Sequence, residues 1–98
     1  MALQFEWDPA KAEQNERKHG LSFEQASKLF TSGVDYWEAF DSEHSIDEER
    51  YVAIGPIAKG LVMVVRVERD ESTIRLISAR LATKKERRLY FAYSRTKL

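Results

Sequence analysis

The chain has 98 residues, 43% apolar and 33% charged, which suits one modest core under a heavily charged surface. It has no cysteine and only two histidines, which excludes disulfides, thiolate metal sites, a cysteine nucleophile and a three-histidine zinc site. Net charge is zero, yet residues 1–49 hold four Lys/Arg against twelve Asp/Glu while residues 50–98 hold the reverse, an asymmetry that points to a polyanion-binding face or a charged partner.

Leu3–Trp7 alternates with period two and predicts a short strand. Asp8-Pro9 opens a helix. Asp8 is placed to accept from the free N–H groups of the first turn, and Pro9 has no N–H to satisfy. Gly20 ends that helix by reaching the left-handed conformation of a C-terminal cap. Ser22 and Gln25 have capping-box spacing and start a second helix, with Leu21 placed to staple onto Ala26. Phe23, Ala26, Leu29 and Phe30 fall on one stripe, so this helix faces a core and stops near Gly33. The first helix is nearly all polar. Lys11, Asn15, Lys18 and His19 share one of its faces, either as a polar network or as a ligand-facing edge.

Val34–Phe40 predicts a strand, and the acidic Asp41–Glu49 a solvent-exposed loop that leaves His44 in solvent. Arg50–Pro56, Leu61–Arg69 and Thr73–Arg80 predict an antiparallel meander with turns at Pro56–Gly60 and Asp70–Ser72. The five-residue apolar run Leu61–Val65 makes the middle strand central. That run is far short of the roughly 20 residues a membrane helix needs. No charged segment precedes an apolar stretch near the start, so no secretory signal is expected. Thr83 and Glu86 form a second capping box that opens a final helix through Tyr93. The order is βααββββα: one cytoplasmic α+β domain over residues 1–98, helices packed on a twisted antiparallel sheet.

No phosphate loop, zinc-protease helix or hydrolase elbow is present. The chain carries cations instead. Arg50 starts a strand, Arg66 and Arg69 lie near the end of the central one, and Arg75 and Arg80 lie on the last. Lys84, Lys85, Arg87 and Arg88 crowd the final helix as a solvated face that attracts polyanions. Period-two alternation puts Arg80 beside Ile74, Leu76 and Ser78, with Arg75 on the opposite face. Arg80 then escapes at the strand end or is paired there, and Glu86 is a natural partner for Arg80 or for an arginine on the final helix. Arg66 and Arg75 read as solvated or ion-paired residues, Tyr90 and Tyr93 as packing.

Three blocks together resemble the BrnT family of bacterial type II toxins. They are Phe5-x-Trp7-Asp8-x-x-Lys11-x-x-x-Asn15-x-x-Lys18-His19-Gly20-Leu21-Ser22-Phe23-Glu24-x-Ala26, Glu49-Arg50-Tyr51-x-Ala53-Ile54-Gly55, and Ile74-Arg75-Leu76-Ile77-Ser78-Ala79-Arg80-x-Ala82-Thr83-x-x-Glu86-Arg87-x-x-Tyr90. The central strand departs from the family pattern: it ends Val65-Arg66-Val67-Glu68-Arg69, so that Arg69 matches and Arg66 is extra. The resemblance implies a RelE-like fold and a ribonuclease that inhibits translation without a metal or other cofactor. It also implies a BrnA-like ribbon-helix-helix antitoxin, with operator DNA bound only through that partner and no membrane contact.

Metal-free RNA cleavage means attack of a 2′-OH on the adjacent phosphorus, and guanidinium groups suit the charge that gathers there. On this resemblance Arg80 is the principal phosphate clamp, with Arg50 and Arg69 assisting. His19, Tyr90 and Lys18 are the proton-transfer candidates. Lys18, Lys84, Lys85, Arg87 and Arg88 would bind RNA. An antitoxin segment, acidic or amphipathic, would cover an apolar and basic surface. Two other classes stay open: a non-catalytic module acting with its antitoxin as co-repressor, and a plain nucleic-acid-binding domain.

Overall fold

The structure, a computed structural model, describes residues 3–96. The elements are β1 (Gln4–Glu6), α1 (Pro9–His19), α2 (Phe23–Thr31), β2 (Trp37–Phe40), β3 (Arg50–Ile57), β4 (Gly60–Glu68), β5 (Thr73–Leu81) and α3 (Lys84–Thr96), with a 3₁₀ turn at Ser42–His44. This is the expected βααββββα order.

The five strands form one sheet in the order β1-β5-β4-β3-β2. Strand β4 is internal, as expected, and both of its faces are buried. The sheet differs from expectation at β1, which pairs with β5 in parallel, Phe5 opposite Ile74. Periodicity sets which residues share a face but not which way a strand runs, and α1 with α2 and the rest of the chain intervenes before β5 is made. Strand β2 is also shorter than expected, since Val34 and Asp35 stay irregular and exposed.

Helices α1 and α2 cover one face. Leu21, Phe23, Ala26 and Leu29 meet Ala53, Val62, Val64, Ile74, Leu76 and Ala79 in the main core. Close packing there needs Gly55: a Cβ at this position would lie 2.6 Å from Leu29 Cδ1 and 2.7 Å from Tyr36 Cβ. Helix α2 starts on the expected capping box, and α1 ends on Gly20 at φ 67°. Asp8 occupies the N-cap of α1 but makes no side-chain bond to it, so Pro9 and the macrodipole carry that start.

Polar α1 is held by one buried residue. Asn15 Nδ2 donates to the Ala79 carbonyl at 2.8 Å and to the Leu21 carbonyl at 3.0 Å, and its Oδ1 accepts from the Ala79 N–H at 3.1 Å. Strand β1 reaches only as far as Arg75 along β5. Beyond it, the Asn15 amide takes the place of a neighbouring strand for Ala79.

Helix α3 lies on the other face, packs mainly on β2 and β3, and reaches the end of β5 through Glu86. Much of that face over β4 and β5 therefore lies beyond the body of the helix.

Candidate nucleic-acid interface

The register of β5 decides what the uncovered face carries. Val65 pairs with Ser78, but Arg66 pairs with Leu76, so Ile77 is an extra, unpaired residue. A bulge reverses the inward–outward parity of everything beyond it. Ile74 and Leu76 point to the core, and past the bulge Ala79 does. Ser78 and Arg80 point the other way. This corrects the expectation that Arg80 shares a face with Ile74 and Leu76. Arg80 lies on the opposite face, with Arg75.

Cross-strand partners extend that surface. Arg80 is level with Met63 and Ile54, Ser78 with Val65 and Val52, and Arg75 with Val67 and Arg50. The result is an apolar floor of valine and methionine with cations at its ends. Above it lies an open groove of about 360 Å³ lined by Asp41, His44, Arg50, Val65, Ser78, Arg80 and Glu86, among others.

Two predicted cations, Arg80 and Arg50, meet in this groove. Arg80 is gripped by Glu86 from α3, with Nη1 2.8 Å from Oε1 and Nη2 2.9 Å from Oε2. These charge-assisted hydrogen bonds push the Arg80 pKa up and the Glu86 pKa down. Glu86 also accepts from the Thr83 N–H at 2.8 Å, completing the capping box of α3. Arg50 is less committed. Its nearest acid, Glu48, is 3.6 Å away, and its buried Nε has no hydrogen-bond partner among the described residues.

The other candidates lie elsewhere. Arg69 sits at the β4–β5 turn, half-exposed, 3.6 Å from Glu6, which also receives Arg75 at 2.8 Å. Tyr90 is outside the groove, its hydroxyl 3.5 Å from the Asp35 carbonyl. His19 and Lys18 line a separate hollow of about 280 Å³ with Lys11 and Asn15. That hollow shares Ile77 and Ser78 with the groove, so the two adjoin across the β5 edge. Lys84, Lys85, Arg87 and Arg88 are exposed on α3, where Lys85 lines a third hollow against β2 and Arg87 lies 5.9 Å from the Phe91 ring centroid. Arg66 is buried on the helix-covered face. It pairs with Glu38 at 2.6 and 2.8 Å and its guanidinium lies 4.9 Å from the Tyr51 ring centroid.

Composition gave no hint of one further resident of the groove. His44 was expected to face solvent alone. It is exposed, but its Nδ1 lies 2.9 Å from Asp41 Oδ2. The loop that presents it is tied down by Ser45, whose hydroxyl donates to the Asp41 carbonyl at 2.5 Å and accepts from the Arg50 N–H at 2.9 Å. The Asp41-x-x-His44 spacing was the available signal, because a single turn brings such a pair together. Among the described residues, no group of three or more His, Asp or Glu is arranged to hold a metal ion. No described helix is long and apolar enough to cross a membrane.

The model of the ribonuclease toxin BrnT of type II toxin–antitoxin systems matches residues 7–86. The chain belongs to the BrnT family. Its fold is similar to that of the Brucella abortus ribonuclease toxin BrnT, solved at 1.1 Å, with a TM-score of 0.63 and 23% identity over 85% of this chain and all of that one. A search of curated protein sequences finds no match. BrnT membership covers Arg50, Arg80 and Glu86 as well as the Asp41–His44 loop, since all lie inside the matched span.

Proposed function

We propose that this chain, acting as one toxin domain, cuts RNA without a metal on the part of its sheet that the body of α3 leaves open. The observation that carries this reading is the meeting of Arg50 and Arg80 in one groove, over an apolar floor and beside Ser78. Guanidinium groups stay charged and fork onto phosphate oxygens, the arrangement that stabilises charge gathering on phosphorus after 2′-OH attack. Lys18 and His19 adjoin across β5 and would hold the RNA backbone beyond the cut. In this reading Arg69 and Tyr90 take no part in chemistry. Activity in the cytoplasm would stop translation by destroying message.

The neutralising partner is a BrnA-like antitoxin with a ribbon-helix-helix part, and the pair would bind operator DNA through that part. Helix α3 supports this: it presents Lys84, Lys85, Arg87 and Arg88 together with half-exposed Leu89 and Phe91, beside β2 at the sheet edge. An acidic, amphipathic antitoxin segment fits such a surface.

One observation favours the co-repressor reading instead. The fork of Arg80 is already filled by Glu86. A phosphate must displace that carboxylate or rely on Arg50. The test is incubation of the purified chain with an RNA oligonucleotide in EDTA, beside the same oligonucleotide with 2′-deoxy sugars. Cleavage of the first and not the second is expected. Binding of RNA without cleavage at any metal condition would favour the co-repressor.

A further inference from the structure

Arg50 and Arg80 supply charge but cannot take a proton, and His19, Lys18 and Tyr90 lie outside the groove. We propose that His44, oriented by Asp41, takes the proton from the attacking 2′-hydroxyl. This rests on the ribonuclease reading above.

His44 sits in the same groove as Arg50, Ser78 and Arg80, at the end of the 3₁₀ turn that follows β2. An Nδ1–H donated to Asp41 fixes the neutral ring as the tautomer whose Nε2 carries a lone pair, and holds the ring in one orientation. The ring itself stays accessible, with 64% of its side-chain surface exposed. A buried imidazole could not meet a polymer. The loop is not free to swing, because Ser45 links the Asp41 carbonyl to the Arg50 N–H. Asp41, His44 and Arg50 are therefore positioned by one short hydrogen-bonded turn. The charged groups around the imidazole are Asp41, Glu43, Asp47 and Glu48 from its own loop, Arg50 from β3, Arg80 from β5 and Glu86 from α3.

The step balances simply. The 2′-oxygen forms its bond to phosphorus as its proton passes to His44 Nε2. The bond from phosphorus to the 5′-oxygen breaks, and the leaving alkoxide takes a proton from solvent water. The products are a 2′,3′-cyclic phosphate and a 5′-hydroxyl. His44 then returns its proton to solvent.

The experiment follows single-oligonucleotide cleavage across the neutral pH range for the wild-type chain, His44→Gln, His44→Ala and Asp41→Asn. His44→Gln should lower kcat by about 10²–10⁴-fold, the usual contribution of a positioned base, with KM and melting temperature little changed. It should also lose the fall in rate on the acid side that a histidine base imposes. Asp41→Asn should shift that limb, because Asp41 acts only through the ring. Imidazole added to His44→Ala should restore part of the rate, which a merely structural histidine would not allow. Wild type that cuts while His44→Gln cuts as fast with the same pH profile overturns this inference and leaves the ribonuclease reading standing. A rise in KM at unchanged kcat overturns it as well, since His44 then only binds. Wild type that cuts no RNA overturns both.

Discussion

Glu86 holds both terminal nitrogens of Arg80, at 2.8 and 2.9 Å, and so ties the end of β5 to the first turn of α3. The same carboxylate caps that helix through Thr83. A parity change in β5 makes the pair possible. Without the extra residue Ile77, Arg80 would point into the core beneath α1 and α2, away from α3.

This pair predicts a double-mutant cycle. Arg80→Ala and Glu86→Ala should each lower the melting temperature, with a coupling of about 1–2 kcal/mol in urea melts, above the range of an open surface pair. Their effects on RNA should diverge. Arg80→Ala should lose about 10²-fold in turnover per folded molecule, and Arg80→Lys should recover little of it. Glu86→Ala should bind RNA more tightly, because the competing carboxylate is gone. Arg80→Ala that is destabilised yet cuts normally would leave Arg80 a purely structural residue.

Acid should loosen the same joint. The Glu86 carboxyl is held below the ordinary glutamate value of 4.5, first by its bonds from Arg80. A carboxylate whose folded pKa is depressed contributes stability that is fully present above the unfolded value and lost as pH falls through the folded one. Wild type should therefore lose its advantage over Glu86→Gln as pH drops below about 4.5. Thermal melts of both proteins from neutral to acid pH would show the curves converging. Parallel curves would mean that Glu86 is not ionised in the way its contacts imply.

Asn15 predicts a larger stability effect from a smaller change. Asn15→Ala would leave the Ala79 N–H and carbonyl and the Leu21 carbonyl without their bonds, all in a buried place. Unpaired buried groups cost about 1–3 kcal/mol each, and relaxation recovers some of it, so a loss of about 3 kcal/mol is expected. Asn15→Leu should do no better, because volume is not what the site needs. Asn15→Asp should also fail near neutrality, since it keeps an acceptor but loses both donors. Urea unfolding measures all three. A change under about 0.5 kcal/mol, the scale of an ordinary surface substitution, would show that water replaces the amide at no cost.

Element order was legible because each boundary carries its own local chemistry. Ser22 with Gln25 and Thr83 with Glu86 announce helix starts, Gly20 announces a helix end, and the run Leu61–Val65 announces a strand buried on both faces. These signals act over three or four residues. The site was less legible, because its geometry depends on longer-range events. Nothing in Ile77 itself marks it as the bulged residue, yet that one residue decides where Ser78 and Arg80 point. Arg80 with Glu86 was readable from charge and spacing. His44 was not, because its place depends on how Ser45 ties the loop to the start of β3. Asn15 was readable as part of a polar face, but that it replaces a strand neighbour follows only from the short reach of β1.

Arg50 gives the clearest contrast between stability and function. Its Nε is buried without a partner among the described residues, and its nearest acid is 3.6 Å away. An unsatisfied buried donor costs stability in the free protein, on the scale of about 1–3 kcal/mol. The part-exposed side chain leaves the end of the guanidinium, not this buried nitrogen, to meet a phosphate in the groove. Arg50→Met keeps the length of the chain and removes the donor. It should fold at least as well as wild type in thermal melts, while RNA turnover falls by about 10²-fold or more. The slope of log binding against log salt should drop by about one, the signature of a single lost phosphate contact. Arg50→Lys should keep that slope but not the turnover, since an ammonium offers charge without the fork. If Arg50→Met instead unfolds more easily and cuts RNA at the normal rate, the residue is a strand-end support and the clamp must be sought at Arg80 alone.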